Sequence, residues 1–596
     1  MSSSSDIKKS PPLDYPMDDL DPKTDSSDLA NFETYQKPSP KNLTKWEEFK
    51  DSFKRKEDES SIAHLVNDTE SQTTNKGAQV KKKLKTRHVA MIAVAGGCGT
   101  GLLVGNGGAL AKGGPAGLIV SYIIIGTMMF STMWAAGELS VAYSTLTGNY
   151  NAYCAKLVDP SLGFAVAWNY AINWFTVLPL ELVTASMTIK FWNDSVNADI
   201  FVAIFYVLIV VVNFVGAKGY AEAEFILNTF KVSMILGFII LGLIIDTNTG
   251  GHIHNQGYIG GKYWSNPGAF ANGFKGVCAT FVTSAFSLGG TEFAVLSASL
   301  MKNPRKSITT AMKIIFYRIL IVYFVSIIVV GLLVPYDSNE LMGSSDATGA
   351  PVSPYVIAIQ TYGIKIVPHM INAVILLAVL SVGNSALYSS ARTFYSLAQQ
   401  GFAPKWFDFV DKNERPLRAM MVSSIVGLFC FIAAYENQSN IFTWLLSISG
   451  LSGIFTWTTI CMSHIRFRAG MKAQGFSLNE LGFVCKGGIW TSYYAMIVNI
   501  LIIVAQFWVA LFPIGKDGKT DIVNFFQNYL GVVVLFFFYF GHKIYTKNWI
   551  LFIPASEIDL VKDRTVFDQD IIKQEDLELE EQMKGNPMKK ILNILF

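Results

Sequence analysis

Between about residue 88 and residue 545 the chain is a succession of long apolar runs separated by short polar stretches. The runs fall at 88–111, 115–143, 164–191, 199–216, 222–245, 270–300, 312–335, 355–398, 416–434, 438–465, 488–511 and 523–545. Most reach the ~20 apolar residues that a helix needs to span hydrocarbon, so the pattern predicts an all-α polytopic membrane protein with twelve transmembrane helices. The eighth run is too long for one crossing and is expected to run on past the bilayer or break near Pro368.

The flanks read differently. Residues 1–85 are rich in Ser, Asp, Lys and Pro and predict a disordered cytosolic tail, in which Trp46 to Arg55 resembles a short amphipathic surface helix. No signal-peptide core opens the chain, so the first span is expected to act as the insertion signal. The membrane domain is placed at 86–548, and 549–596 is expected to be a solvated, charged cytosolic tail. Loops after even-numbered spans carry Lys156, Lys218, Lys302, Arg305, Lys306, Lys405, Arg415, Arg418, Arg466, Arg468 and Lys472, while the opposite loops carry few cations. Positive charge stays inside, which puts both termini in the cytosol. The sequons at Asn193 and Asn437 then fall outside, too close to span ends for much glycosylation.

Composition supports the same class. Of 596 residues 51% are hydrophobic and 16% charged, whereas soluble domains carry about 25% charged residues. The net charge of +3 says little about partners, and nothing points to nucleic acid. The six cysteines show no metal-site or disulfide spacing. The seven histidines form no catalytic constellation, with only His252 and His254 close together. A membrane-embedded enzyme would need such a constellation, so no catalytic residue, metal or cofactor is assigned.

Chemistry enters at the first run, where Gly97-Cys98-Gly99-Thr100-Gly101 crowds glycines into one or two turns. Each Gly costs about 1 kcal/mol relative to Ala in a helix interior, and an unwound membrane helix is tolerated where it faces a cavity. The sixth run repeats the theme with Ser284-Ala285-Phe286-Ser287-Leu288-Gly289-Gly290-Thr291-Glu292. Close helix packing explains either stretch alone. Two matched breaks five spans apart are what an inverted five-plus-five repeat predicts. Half-helix N–H groups then suit a carboxylate and unwound carbonyls an ammonium, a pairing that fits an amino-acid zwitterion. Substrate contacts are expected from Gly97, Cys98, Gly99, Thr100, Gly101, Ser284, Phe286, Ser287, Leu288 and Ser385.

Ionisable groups inside spans are costly and so paired or functional. Lys231 lies deep in the fifth run, where its ammonium is expected to take the place of a cation, with snorkelling of its long side chain to the membrane surface as the alternative. Glu292 is the leading proton carrier, Glu138 a second candidate with a structural alternative, and Glu181 is ambiguous. Proton coupling is assigned to Lys231, Glu292 and Glu138.

Gly99 to Gly105, Gly113-Gly114-Pro115-Ala116, Leu178-Pro179-Leu180-Glu181-Leu182, Gly219-Tyr220-Ala221-Glu222-Ala223-Glu224, Asn303-Pro304-Arg305-Lys306 and Phe442-Thr443-Trp444-Leu445-Leu446 resemble the motifs of fungal amino-acid permeases. These form the yeast amino acid transporter branch of the amino acid–polyamine–organocation superfamily, and the resemblance runs over about 85–570. It implies a LeuT-like five-plus-five inverted repeat with helices 1 and 6 broken, and proton-coupled uptake of amino acids across the plasma membrane. It matches Lys231 to the lysine that replaces a second sodium site, Gly97 to Gly101 to the carboxylate-binding break and Phe286 to Leu288 to the amine-binding one. It is strongest toward broad-range neutral permeases, with branched-chain or aromatic selectivity, or an amino acid sensor of the same fold, as alternatives. Cys98 stands where these permeases usually carry an apolar residue, and the chain ends in Phe596 without their lipidated cysteine. The expected partners are an amino acid, protons, the lipid bilayer, and ubiquitin or trafficking machinery acting on the tails.

Overall fold

The computed structural model describes residues 52–55, 91, 94–144, 146, 150–192, 197–248, 257–292, 294–295, 304–342, 353–434, 438–516, 518–567, 570, 573–574 and 577. Most of the N-terminal tail, the two sequon asparagines, His252 and His254, the end of the sixth run at 296–300 and Asn303 lie outside the described residues. The chain divides into Met1–Lys54 and Arg55–Phe596. Of the first unit only a turn at 52–54 is described, and every described helix belongs to the second.

Among the described residues every regular element is helical, apart from an isolated bridge between Arg55 and Asp411. Among the described residues eight helices are long and apolar enough to cross a bilayer, and Asp199–Phe214 and Leu417–Phe431 are shorter apolar helices. In chain order the α-helices are α1 (Asn106–Ala142), α2 (Tyr150–Leu157), α3 (Pro160–Ile189), α4 (Ala198–Phe214), α5 (Ala217–Thr247), α6 (Gly273–Leu288), α7 (Pro304–Tyr317) and α8 (Ser326–Leu333). They continue with α9 (Asn339–Met342), α10 (Pro354–Gln360), α11 (Val367–Gln399), α12 (Leu417–Gly427), α13 (Gln438–Ala473), α14 (Gly488–Leu511) and α15 (Ile522–Thr546).

The helix Gly101–Ala142 is 42 residues long, about twice what one crossing needs. It holds a break at Gly114, where φ is 73°, a conformation that favours glycine. Pro115 follows and removes a donor. The segment 269–271 docks into the break, with Ala271 N–H donating to Gly113 O at 3.1 Å and Ala116 N–H to Ala269 O at 2.9 Å. A Cβ on Gly114 would lie 2.6 Å from Ala271 N, so the glycine also makes room for that segment.

Boundaries differ from the apolar pattern where polar residues continue a helix. The seventh run begins earlier, at Pro304, because proline suits a first helical turn. It widens into a π-type stretch at Arg318–Val325 before α8. The eighth splits into α10 and α11, with Pro368 in the first turn of α11. The tenth continues to Ala473.

Packing places α6 along α1, and α11 and α13 along α3. Asp159 caps α3 by accepting from Ser161 N–H and Leu162 N–H at 3.2 Å each, and it pairs with Lys543 of α15 at 3.0 Å. Parts of the stretch 553–567 are tied back onto the helices. Ile558 and Leu560 are buried, Thr565 N–H donates to Ala142 O at 2.7 Å, and Phe567 N–H to Glu480 O at 3.0 Å. Ile558 and Leu560 lie against Gly470 near the end of α13, which charge content alone does not reveal.

Candidate functional site

Two interruptions of helix meet at one place. In the first, the chain turns at Gly96 and Gly97 and becomes helical again at Thr100. Cys98 N–H donates to Ala95 O at 3.0 Å, closing the turn, and Leu103 N–H to Gly99 O at 3.0 Å, opening the next helical stretch. In the second, α6 ends at Leu288, Gly290 takes φ 77°, and helix resumes at Thr291. A Cβ on Gly97 would sit 2.4 Å from Gly289 O, and one on Gly101 would sit 2.8 Å from both Phe286 Cδ1 and Ser287 Cα. The glycines thus let the two broken backbones touch.

This contact forms one wall of a cavity of about 770 Å³, its open mouth included. Thr100 begins a helical stretch whose first N–H groups lack intrahelical acceptors and attract an anion. The C-terminal end of α6 brings carbonyl oxygens to the same place. Trp174, Val177, Phe286, Val382 and Trp457 supply apolar walls, and Asn173, Glu181, Glu224, Glu292, Ser385 and Ser449 supply polar ones.

The carboxylates are held lightly. Thr100 Oγ1 donates to Glu181 Oε2 at 2.5 Å, while among the described residues Glu181 Oε1 and Glu292 Oε2 are buried without a hydrogen-bond partner. Tyr150 donates to the Glu292 carbonyl at 2.7 Å, fixing the turn that carries this side chain. Ser385, on α11, shares a 3.0 Å hydrogen bond with the Tyr220 hydroxyl, and the Tyr220 ring stacks on Tyr388 at 3.9 Å.

Of the residues anticipated from sequence, Gly97, Gly99, Thr100, Gly101, Phe286, Ser385 and Glu292 line the cavity. Cys98, Ser284, Ser287 and Leu288 stand outside its lining because their side chains turn into the helix contacts. The Cys98 thiol donates to the Tyr323 hydroxyl at 3.4 Å, Ser121 Oγ donates to Ser284 Oγ at 2.8 Å, and Ser287 Oγ donates to Thr283 O in its own helix. Lys231 is fully buried behind the wall and donates to Ser381 Oγ at 2.8 Å. Glu138 lies outside the lining in a separate cluster, bound by Arg468 through two hydrogen bonds of 2.5 and 2.6 Å.

Two charged residues escaped the sequence reading. Glu224 lines the cavity, and with Asn228 and Lys231 it forms a buried i, i+4, i+7 stripe on α5. That spacing inside an apolar helix was a readable signal. Arg318, 2% exposed, opens the π-type stretch and donates to Thr291 Oγ1 just past the second break. Such widened turns cluster at functional sites, but nothing in an apolar run marks where one will form.

A family profile described as "Amino acid permease" matches residues 88–555. The chain is 50% identical to general amino acid permease AGP1 of Saccharomyces uvarum, over 95% of this chain and 93% of that protein. It is 51% identical to the high-affinity glutamine permease of Saccharomyces cerevisiae (87% and 78% covered) and 50% identical to that yeast's valine/tyrosine/tryptophan amino-acid permease 1 (88% and 83%). With a matched region that holds both breaks and the whole cavity lining, this chain belongs to the amino acid permease family, whose members are transporters and not enzymes.

Proposed function

We propose that this permease is a proton-coupled symporter that imports neutral amino acids of broad range across the plasma membrane by alternating access, with both termini cytosolic. The observation that carries the reading is the meeting of two helix breaks in one cavity beside carboxylates with unpartnered oxygens. The substrate carboxylate sits on the N–H groups of the first break, from Gly97 to Gly101, and its ammonium faces the carbonyls at Phe286 to Leu288. The side chain is left to Trp174, Phe286, Val382 and Trp457, an apolar lining that suits uncharged groups. The relatives' names, one general, one for glutamine and one for valine, tyrosine and tryptophan, support a neutral and broad range. Lys231 and Glu292 are the coupling residues of this proposal. Counting the helix interrupted at Gly114 as two crossings, with α4, α6 and α12 as one each beside the other seven apolar helices, supports twelve crossings and a LeuT-like repeat.

The test is uptake of labelled leucine, phenylalanine, glutamine and arginine at pH 5 and pH 7.5 in cells without their own permeases, for wild type and Lys231→Ala. Neutral substrates are expected to enter faster at pH 5 and the variant to lose uptake. Absence of any uptake by surface-localised wild type sinks the carrier reading in favour of a sensor, and uptake indifferent to pH sinks proton coupling.

A further inference from the structure

The charges of α5 are arranged unusually. Glu224 and Lys231 lie seven residues apart on one face of the helix, 1% and 0% exposed, and among the described residues no ion pair joins them directly. Ser381 of α11 stands between them. Lys231 Nζ donates to Ser381 Oγ at 2.8 Å, and Ser381 Oγ donates to Glu224 Oε2 at 2.7 Å. The other carboxylate oxygen accepts from Asn384 Nδ2 at 3.0 Å, and Asn384 is itself oriented by Asn213 Nδ2 at 2.8 Å. Glu224 lines the cavity and Lys231 does not.

The neighbourhood holds few other exits for a proton. Glu181 on α3 and Cys98 beside the first break act electrostatically on Lys231, and Glu181 is hydrogen-bonded to Thr100 instead. Asn384, Ser385 and Tyr220 surround Glu224, and Arg392 acts on Tyr220 and lies over the Tyr388 ring rather than on the carboxylate. Among the described residues, the Lys231 ammonium makes one hydrogen bond, to a neutral hydroxyl whose own proton already points at a carboxylate.

We propose that Glu224 is the port through which Lys231 exchanges its proton with the cavity, the Ser381 hydroxyl carrying it between them. This rests on the proton-coupled reading above. In the step one Lys231 N–H bond breaks as a Ser381 O–H bond forms, while the original Ser381 O–H bond breaks and its proton bonds to Glu224 Oε2. The two separated charges become a neutral amine and a carboxylic acid, with no change in net charge. Glu224 then gives the proton to water in the cavity. Such a route carries no bare charge through hydrocarbon, where charge is expensive.

The test uses the full-length protein in liposomes, with labelled leucine followed in two modes: accumulation driven by an imposed acid-outside gradient, and counterflow exchange at equal pH. Ser381→Ala is expected to lower driven accumulation by about tenfold or more and counterflow by far less, and Ser381→Thr, which keeps the hydroxyl, to restore accumulation. Glu224→Gln is expected to lose driven accumulation. If it fails to reconstitute, the Ser381 pair decides. Wild-type accumulation by Ser381→Ala overturns the port, as does equal loss of both modes in the Ala and Thr variants, which marks a mere tie between α5 and α11. Wild-type protein that exchanges leucine but accumulates none under the gradient overturns proton coupling itself.

Discussion

Glu138 and the three cavity glutamates are buried to nearly the same extent, yet they are treated in opposite ways. Glu138 is gripped. Arg468 binds both of its oxygens, at 2.5 and 2.6 Å, Cys485 N–H donates to it at 2.7 Å, and His464 Nε2 lies 3.1 Å away. A bidentate, charge-assisted pair of this kind is strong and geometrically specific. Around the cavity, Glu181 has Thr100 on one oxygen, Glu292 keeps one oxygen without a hydrogen bond, and Glu224 is met by a serine and an asparagine. A carboxylate with a full set of partners has nothing left to offer a substrate or a proton. One with neutral or missing partners is held at a cost that a transport cycle can use. On this geometry Glu138 ties α1, α13 and the segment before α14, and in the proposal above proton coupling is given to Lys231 and the cavity glutamates.

The sharpest break of this contrast is Glu138→Ala, which strands Arg468. Removing one partner of a buried pair costs about 3–5 kcal/mol, so the variant is expected to lose folded protein on detergent size-exclusion chromatography. A stable, transporting Glu138→Ala protein ends the anchor reading. Glu292→Gln is expected to behave conversely. Its elution profile stays normal while leucine uptake falls by about a hundredfold, the scale of a lost acid–base group.

Gly97→Ala probes the wall rather than the charges. The new methyl meets Gly289 O at 2.4 Å, and overpacking of about 1–3 kcal/mol is expected to cut uptake while the protein still reaches the surface. Unaltered uptake denies that the two breaks must touch. The smallest effect is expected from Trp457→Phe, which trims an apolar wall and enlarges the cavity. Pocket changes of this size are worth about 1–3 kcal/mol between substrates, so the ranking of phenylalanine against leucine should shift with total uptake nearly kept, as competition assays would report.

Much of this was legible in the chain itself. Apolar runs announce membrane helices because each must satisfy its own backbone in hydrocarbon, and clustered glycines announced both breaks because their helix cost demands a return. Gly97, Gly99, Gly101 and Phe286 fell in the cavity wall on that reasoning. Cys98, Ser284, Ser287 and Leu288, in the same two stretches, turn elsewhere, since the direction of a side chain in an unwound segment depends on what packs against it. The charged segment after 549 read as a tail because its anchors, Ala142 and Glu480, are far away in sequence.

By itself, then, the amino-acid order determined the helices, their breaks and the family, all of which follow from local hydrophobicity, local backbone cost and motif. Tertiary structure alone decided which buried charges are neutralised and which are left exposed to the cavity. That choice depends on partners from other helices: Arg468 for Glu138, Thr100 for Glu181, and Ser381 for both Lys231 and Glu224. The energy of a charge in a low-dielectric interior is set by groups within a few ångströms, and only folding brings those groups together.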